Sequence, residues 1–176
     1  MNLRGFQGTA YRAHDPRWAF APGSGAGAAR YGGRFNPPGQ PALYVSCSTI
    51  GAVTEAQQGM SANKLQPLTL VSYDVNHESI QDLSTPDARG AAGISLAELD
   101  CPWELLLLEH KVPPSHALAA RLIADGVGGI LVPSFAPGAA AHTTNIVFWR
   151  WTDRPPHQVR VIDDQNRLAI GARISG

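Results

Sequence analysis

The sequence predicts an α+β fold built on a mainly antiparallel sheet with a few helices. Short runs rich in β-branched and aromatic residues recur along the chain between turn formers, whereas sustained 3.6-residue apolar periods are few. The length sets the scale. A chain of 176 residues falls within the usual range for one domain, and a globule of that size buries roughly 70% of the surface its unfolded chain exposes. Residues 1–176 are therefore read as a single domain.

In chain order, the first strand is expected at Thr9 to Arg12. The stretch Ala21 to Ala29 follows, with Gly23, Gly25 and Gly27. It has no Gly-Lys-Ser/Thr and no strand-then-helix order, so it is not a phosphate loop and reads as either a mobile flap or a disordered surface loop. Leu43 to Ser46 forms the second strand. Thr49 to Gln58 reads as a helix: Ser48 caps it, Ala52, Val53 and Ala56 give one apolar side, and Gly59 stops it. A third strand is expected at Leu68 to Val75 and a short helix near Ser95 to Leu99. A longer helix spans Ser115 to Asp125, with Leu118, Leu122 and Ile123 at helical spacing and Gly126 as its end signal. The remaining strands are Gly129 to Val132, Ile146 to Trp151 and Gln158 to Ile162. A loop rich in Ala, Pro and Gly, Phe135 to Thr144, precedes the last two.

Composition narrows the function classes. With 44% hydrophobic and 16% charged residues, the chain is neither disordered nor a coiled coil. The longest apolar stretches, Leu105 to Leu108 and Ile130 to Val132, fall far short of the roughly 20 residues a membrane span needs. Met1 to Thr9 lacks a signal peptide's apolar core, so a cytoplasmic protein is expected. Cys47 and Cys101 then read as free thiols, with packing preferred to catalysis for Cys47. No CxxC or HExxH spacing invites a metal. A formal net charge of zero argues against a broad nucleic-acid surface. Within the first 60 residues, however, Arg4, Arg12, Arg17, Arg30 and Arg34 face only Asp15 and Glu55. That excess suits a pyrophosphate pocket, or reflects a general preference for arginine in a chain whose only lysines are Lys64 and Lys111.

The densest stretch is Arg30-Tyr31-Gly32-Gly33-Arg34-Phe35-Asn36-Pro37-Pro38-Gly39, followed by Ala42-Leu43-Tyr44-Val45-Ser46 and the helix carrying Glu55. An arginine fork grips phosphate oxygens, a tyrosine gives an aromatic base a flat face, and a carboxylate stabilises positive charge growing on a sugar carbon. Together they suit a dinucleotide broken at its glycosidic bond.

Tyr11-Arg12, Gly33-Arg34-Phe35-Asn36, Tyr44 with Ala52 and Glu55, and Val132-Pro133-Ser134 occur in an order that resembles the RES-domain family, from about Tyr11 to about Trp151. Phe35 stands where that family usually has tryptophan and keeps an aromatic ring. The resemblance implies a fold like that of the ADP-ribosyltransferase toxins and the role of toxin in a bacterial type II toxin-antitoxin pair. It implies NAD as substrate, cleaved at the nicotinamide–ribose bond, with ADP-ribose passed to a protein such as phosphoribosyl pyrophosphate synthetase, to water or to phosphate. A helix-turn-helix antitoxin that contacts DNA is the implied partner.

On that resemblance Glu55 is the catalytic carboxylate, against the alternative of a solvated helix residue. Arg12 and Arg34 lie on the phosphates and ribose, or else make ordinary salt bridges. The Gly32-Gly33 pair before Arg34 permits close backbone approach to a ligand, and a buried Arg12 needs an anion, either Glu or phosphate. Tyr44 lies against the nicotinamide side or in the core. Tyr31 contacts the adenosine or covers apolar surface. Ser134 has no Gly-x-Ser-x-Gly elbow, so it hydrogen-bonds the ribose or orients Glu55, unless it is only a turn former. The competing function is a non-catalytic nucleotide-binding or interaction module on the same fold.

Overall fold

The computed structural model describes residues 3–57 and 66–168. It is a mixed α/β structure: one six-stranded sheet with short helices set against it. The strands are β1 (Leu3–His14), β2 (Leu43–Ser46), β3 (Thr69–Asp82), β4 (Gly129–Pro133), β5 (Thr144–Phe148) and β6 (His157–Val161). The helices are α1 (Ala26–Tyr31), α2 (Thr49–Ala56), α3 (Pro86–Ala92), α4 (Leu96–Leu99), α5 (Trp103–Leu108) and α6 (Pro114–Ala124).

The strand order is β1-β2-β5-β4-β3-β6, and a further β1–β3 pairing brings the sheet back to its start. Strands β3 and β4 pair in parallel, with Gln81 opposite Ile130, and the other pairings among the described strands are antiparallel. The longest ladder joins β1 to β3 and puts Arg12 opposite Val71. One residue earlier in β1, Tyr11 meets Ser46 of β2. This narrow junction leaves the end of β1 close to the start of α2.

Strand alternation divides the apolar residues between two cores. Leu43, Val45, Leu131, Ile146 and Phe148 join Ala10, Tyr73 and Val75 on one face of the sheet. Ala42, Ile130, Val132 and Val147 pack on the other against Leu99, Leu118 and Leu122 from the helices. Burying each such leucine contributes roughly 1.5–3 kcal/mol, so β2, β4 and β5 are held from both sides.

Strands β1 and β3 run well past their expected limits because each serves as the other's ladder partner. The expected strand Ile146 to Trp151 instead begins at Thr144 and stops at Phe148. Trp149 and Arg150 both donate their N–H to Gly128 O and so leave the ladder. Ser48 caps α2 as expected, while the expected end at Gln58 and Gly59 lies outside the described residues. The short helix after Ser95 is α4, closed by a reciprocal Ser95–Glu98 capping box. Gly126, at φ +86°, follows α6 as its end signal required.

The stretch Ala21 to Ala29 is not a free loop. Its second part is α1, and its first part is tied down by Tyr73 Oη on Pro22 O at 2.7 Å and Trp151 Nε1 on Gly23 O at 3.1 Å. Glycine-rich composition foretold flexibility, and distant side chains override it. Helices α3 and α5 were not read from the sequence: α3 contains Gly90, and the apolar run of α5 is too short to show a period.

Candidate active site

Glu55 reaches the sheet because α2 lies unusually close to β2. Ser48 Oγ accepts the Gly51 N–H at 3.0 Å and starts the helix. A Cβ on Gly51 would stand 2.2 Å from Ser46 Oγ and 2.8 Å from Thr143 Cγ2, so only glycine permits this approach. One turn later the Glu55 Oε1 accepts hydrogen bonds from Ser134 Oγ and from Asn145 Nδ2, each at 2.5 Å. Ser134 follows β4 and Asn145 lies in β5, opposite both Ser46 and Val132. Helix α2 and strands β2, β4 and β5 thus converge on one carboxylate.

Glu55 borders a cleft of about 240 Å³, shared with Tyr11, Arg12, Tyr44, Ser46 and Asn145. The volume is just below the ordinary range for small-molecule sites, so it suits one portion of an extended ligand. Arg12 Nη1 donates to Pro22 O at 3.1 Å and Ser24 O at 3.2 Å. Among the described residues no carboxylate pairs with Arg12, so a guanidinium with further donors lines the cleft. The sequence asked for Glu or phosphate beside this arginine, and the fold gives it main-chain carbonyls.

Tyr44 lines the cleft and anchors its hydroxyl on the Gly33–Asn36 segment. The hydroxyl donates to Asn36 Oδ1 at 2.7 Å and accepts the Phe35 N–H at 3.0 Å. Burial pushes its pKa far above the ordinary phenol value, so it remains a neutral phenol. The Gly33–Asn36 segment that holds it is itself fastened. His116 Nε2 bonds Gly33 O at 2.8 Å, Ser115 Oγ donates to Arg34 O at 2.5 Å, and Trp149 Nε1 donates to Phe35 O at 2.9 Å. Asn36 Nδ2 closes the turn on Ala28 O and Gln40 O. A Cβ at Gly33 would lie 2.6 Å from the Tyr44 hydroxyl, so the close approach this glycine permits is to Tyr44.

Arg34 and Tyr31 are not brought to the cleft. Arg34 Nη1 donates to Cys101 O at 2.9 Å and Leu99 O at 3.3 Å, stands 3.6 Å from Asp100, and lies over the Phe135 ring. It clasps the α4–α5 turn. Tyr31 is 70% exposed, with Arg30 over its ring. Sequence reasoning missed Asn145 and Ser46. The available signal was a polar residue bordering the apolar run Ile146 to Phe148, and placing the strand's start at Ile146 hid it.

Residues 9–170 match the model of the RES domain, and the chain belongs to the RES domain family. Over 79 residues it is 35% identical to the NAD(+) phosphorylase MbcT of Mycobacterium tuberculosis and equally to that of Mycobacterium bovis. That match takes in 40% of this chain and 42% of theirs, so it spans less than half of the curated relatives. The crystal structure of the M. tuberculosis MbcT–MbcA toxin–antitoxin complex superposes with a TM-score of 0.61 at 24% identity. The superposition takes in 92% of this chain and 84% of that one, and it shows a shared mixed α/β fold.

Proposed function

We propose that this member of the RES domain family is the toxin of a type II toxin-antitoxin pair, and that it breaks the nicotinamide–ribose bond of NAD in the cleft beside Glu55. The observation that carries the reading is a carboxylate that accepts hydrogen bonds from Ser134 and Asn145, in the same cleft as an arginine without a carboxylate partner among the described residues. When the C–N bond breaks, its electron pair leaves with nicotinamide and positive charge develops on the ribose carbon. Glu55 stabilises that charge, and the Ser134 and Asn145 donors help to orient it. Arg12 takes a phosphate oxygen, Tyr44 gives its ring to the nicotinamide side, and Ser134 orients Glu55. Arg34 supports the site from outside through the α4–α5 turn, and Tyr31 offers an exposed ring to the adenosine.

The acceptor assigned to the reaction is inorganic phosphate, in keeping with the name of the curated relatives matched over part of the chain. A phosphate oxygen then bonds the ribose carbon and the products are nicotinamide and ADP-ribose 1″-phosphate. Water or a protein such as phosphoribosyl pyrophosphate synthetase would instead make the protein a glycohydrolase or an ADP-ribosyltransferase. We take residues 1–176 as one NAD-binding domain of cytoplasmic location, related in fold to the ADP-ribosyltransferase toxins, and its partner as an antitoxin with a helix-turn-helix domain. The test is incubation with NAD in phosphate, in phosphate-free buffer and in bacterial lysate containing labelled NAD. Phosphate-dependent nicotinamide release supports phosphorolysis, and a labelled protein band supports transfer. No release in any arm overturns the reading.

A further inference from the structure

We infer that Asn145 is a positioning residue for the Glu55 carboxylate, an inference that rests on the cleft being the NAD-cleaving site. Asn145 Nδ2 and Ser134 Oγ donate to the same oxygen, Glu55 Oε1. The two donors sit differently in the fold. Ser134 lies one residue past the end of β4, with its N–H on Thr143 O. Asn145 sits inside β5 between β2 and β4, with Ser46 on one edge and Val132 on the other. Its main chain cannot shift without disturbing two ladders.

The chemistry of the side chain fixes its orientation. Turned over, the amide would set Oδ1 against the carboxylate, acceptor against acceptor. In the orientation observed, Oδ1 is buried and has no hydrogen-bond partner among the described residues. An unpaired buried carbonyl costs stability, and a β-branched residue would suit a strand continuing into buried Ile146, Val147 and Phe148 better. What the amide supplies in return is a donor to Glu55. An arginine or lysine here would also hold the carboxylate but would neutralise the charge that the reaction uses. Asparagine directs it and leaves its charge intact.

The test uses Asn145→Ala and Asn145→Asp in the full chain, with nicotinamide release measured in phosphate across a range of pH. Asn145→Ala is expected to lower kcat by about 10- to 100-fold, as loss of alignment does, while KM for NAD stays within about threefold. Asn145→Asp keeps the shape but sets a second carboxylate against Glu55. Adjacent carboxylates do not ionise independently, so the ascending limb of kcat against pH is expected to move to higher pH. Circular dichroism and thermal melts establish that both variants are folded; a merely structural role would lower stability and leave the pH profile in place. A folded Asn145→Ala with wild-type kcat, or an Asn145→Asp profile that does not move, overturns the inference. Wild-type protein without turnover overturns the functional reading and the role of Asn145 with it, whereas an active wild type beside unaffected variants overturns the inference alone.

Discussion

On the proposed function, two arginines of the N-terminal region divide between binding and support. Arg12 lines the cleft, so Arg12→Lys is expected to weaken NAD binding by about tenfold, since an ammonium cannot reproduce the bidentate fork on a phosphate. Arg34, 21% exposed at its side chain, spends its donors on Cys101 and Leu99 carbonyls. Arg34→Lys is therefore expected to cost about 1 kcal/mol in denaturant unfolding with little change in NAD affinity. Titration calorimetry separates the pair, and a loss of affinity confined to Arg34→Lys would reverse the two roles. Arg12, Tyr44, Ser134 and Glu55 were singled out through the family resemblance, and the structure brings Arg12, Tyr44 and Glu55 to one cleft with Ser134 on the Glu55 carboxylate. The support given by Arg34 was not legible in the sequence, since its partners are main-chain carbonyls more than sixty residues away. Nor could the sequence show that Gly33 makes room for Tyr44.

Among the elements, α2 and its seat on β2 decide where Glu55 points. Gly51→Ala puts a methyl against Ser46 Oγ and Thr143 Cγ2, and the helix must move away. A stability loss of about 1–3 kcal/mol is expected, together with a kcat loss larger than the change in KM. Normal activity would mean that the spacing of α2 does not control the carboxylate. The ladder of β3 and β6 carries a different sensitivity. His77 is fully buried opposite His157, with Nε2 on Arg150 O at 2.8 Å and Nδ1 receiving the Ser79 N–H at 3.2 Å. That pattern needs the neutral ring, and burial lowers its pKa from the ordinary 6.5. The unfolded chain thus binds the proton more readily. Stability from this group is complete above about pH 6.5 and is lost as pH falls through the lower folded value. Urea unfolding between pH 7.5 and 5 is expected to show that slope, and His77→Gln, which cannot protonate, to flatten it; an equal slope in both would remove His77 as the cause. The six described strands were visible as runs with β-branched or aromatic residues between turn formers. The full lengths of the 12-residue β1 and 14-residue β3 were not, because their outer halves are held by each other and carry polar residues that local propensity does not favour.

For the whole molecule, the order of strands is set by long-range pairing, which periodicity does not encode. The mixed α/β character was readable, as was the convergence of Arg12, Tyr44 and Glu55, whereas Arg34 lies away from the cleft. The pinning of Ala21 to Ala29 was not, because Tyr73 and Trp151 reach it from elsewhere in the chain. On the proposed reading as an NAD-consuming toxin the protein requires restraint, and an antitoxin segment bearing a carboxylate would pair with Arg12. Competition between NAD and such an antitoxin is expected in fluorescence titrations. Equal NAD affinity for the free protein and the complex would rule out blocking of the cleft.

Glu55→Gln tests the central claim most directly, since it keeps side-chain size on α2 and removes only the charge beside the cleft. Nicotinamide release from NAD in phosphate is expected to proceed with the wild-type protein and to fall by at least about 100-fold in the variant, the weight of a preorganised electrostatic group, with the thermal melt nearly unchanged. A folded Glu55→Gln protein that releases nicotinamide at the wild-type rate would contradict the assignment of this cleft as the place where NAD is cleaved.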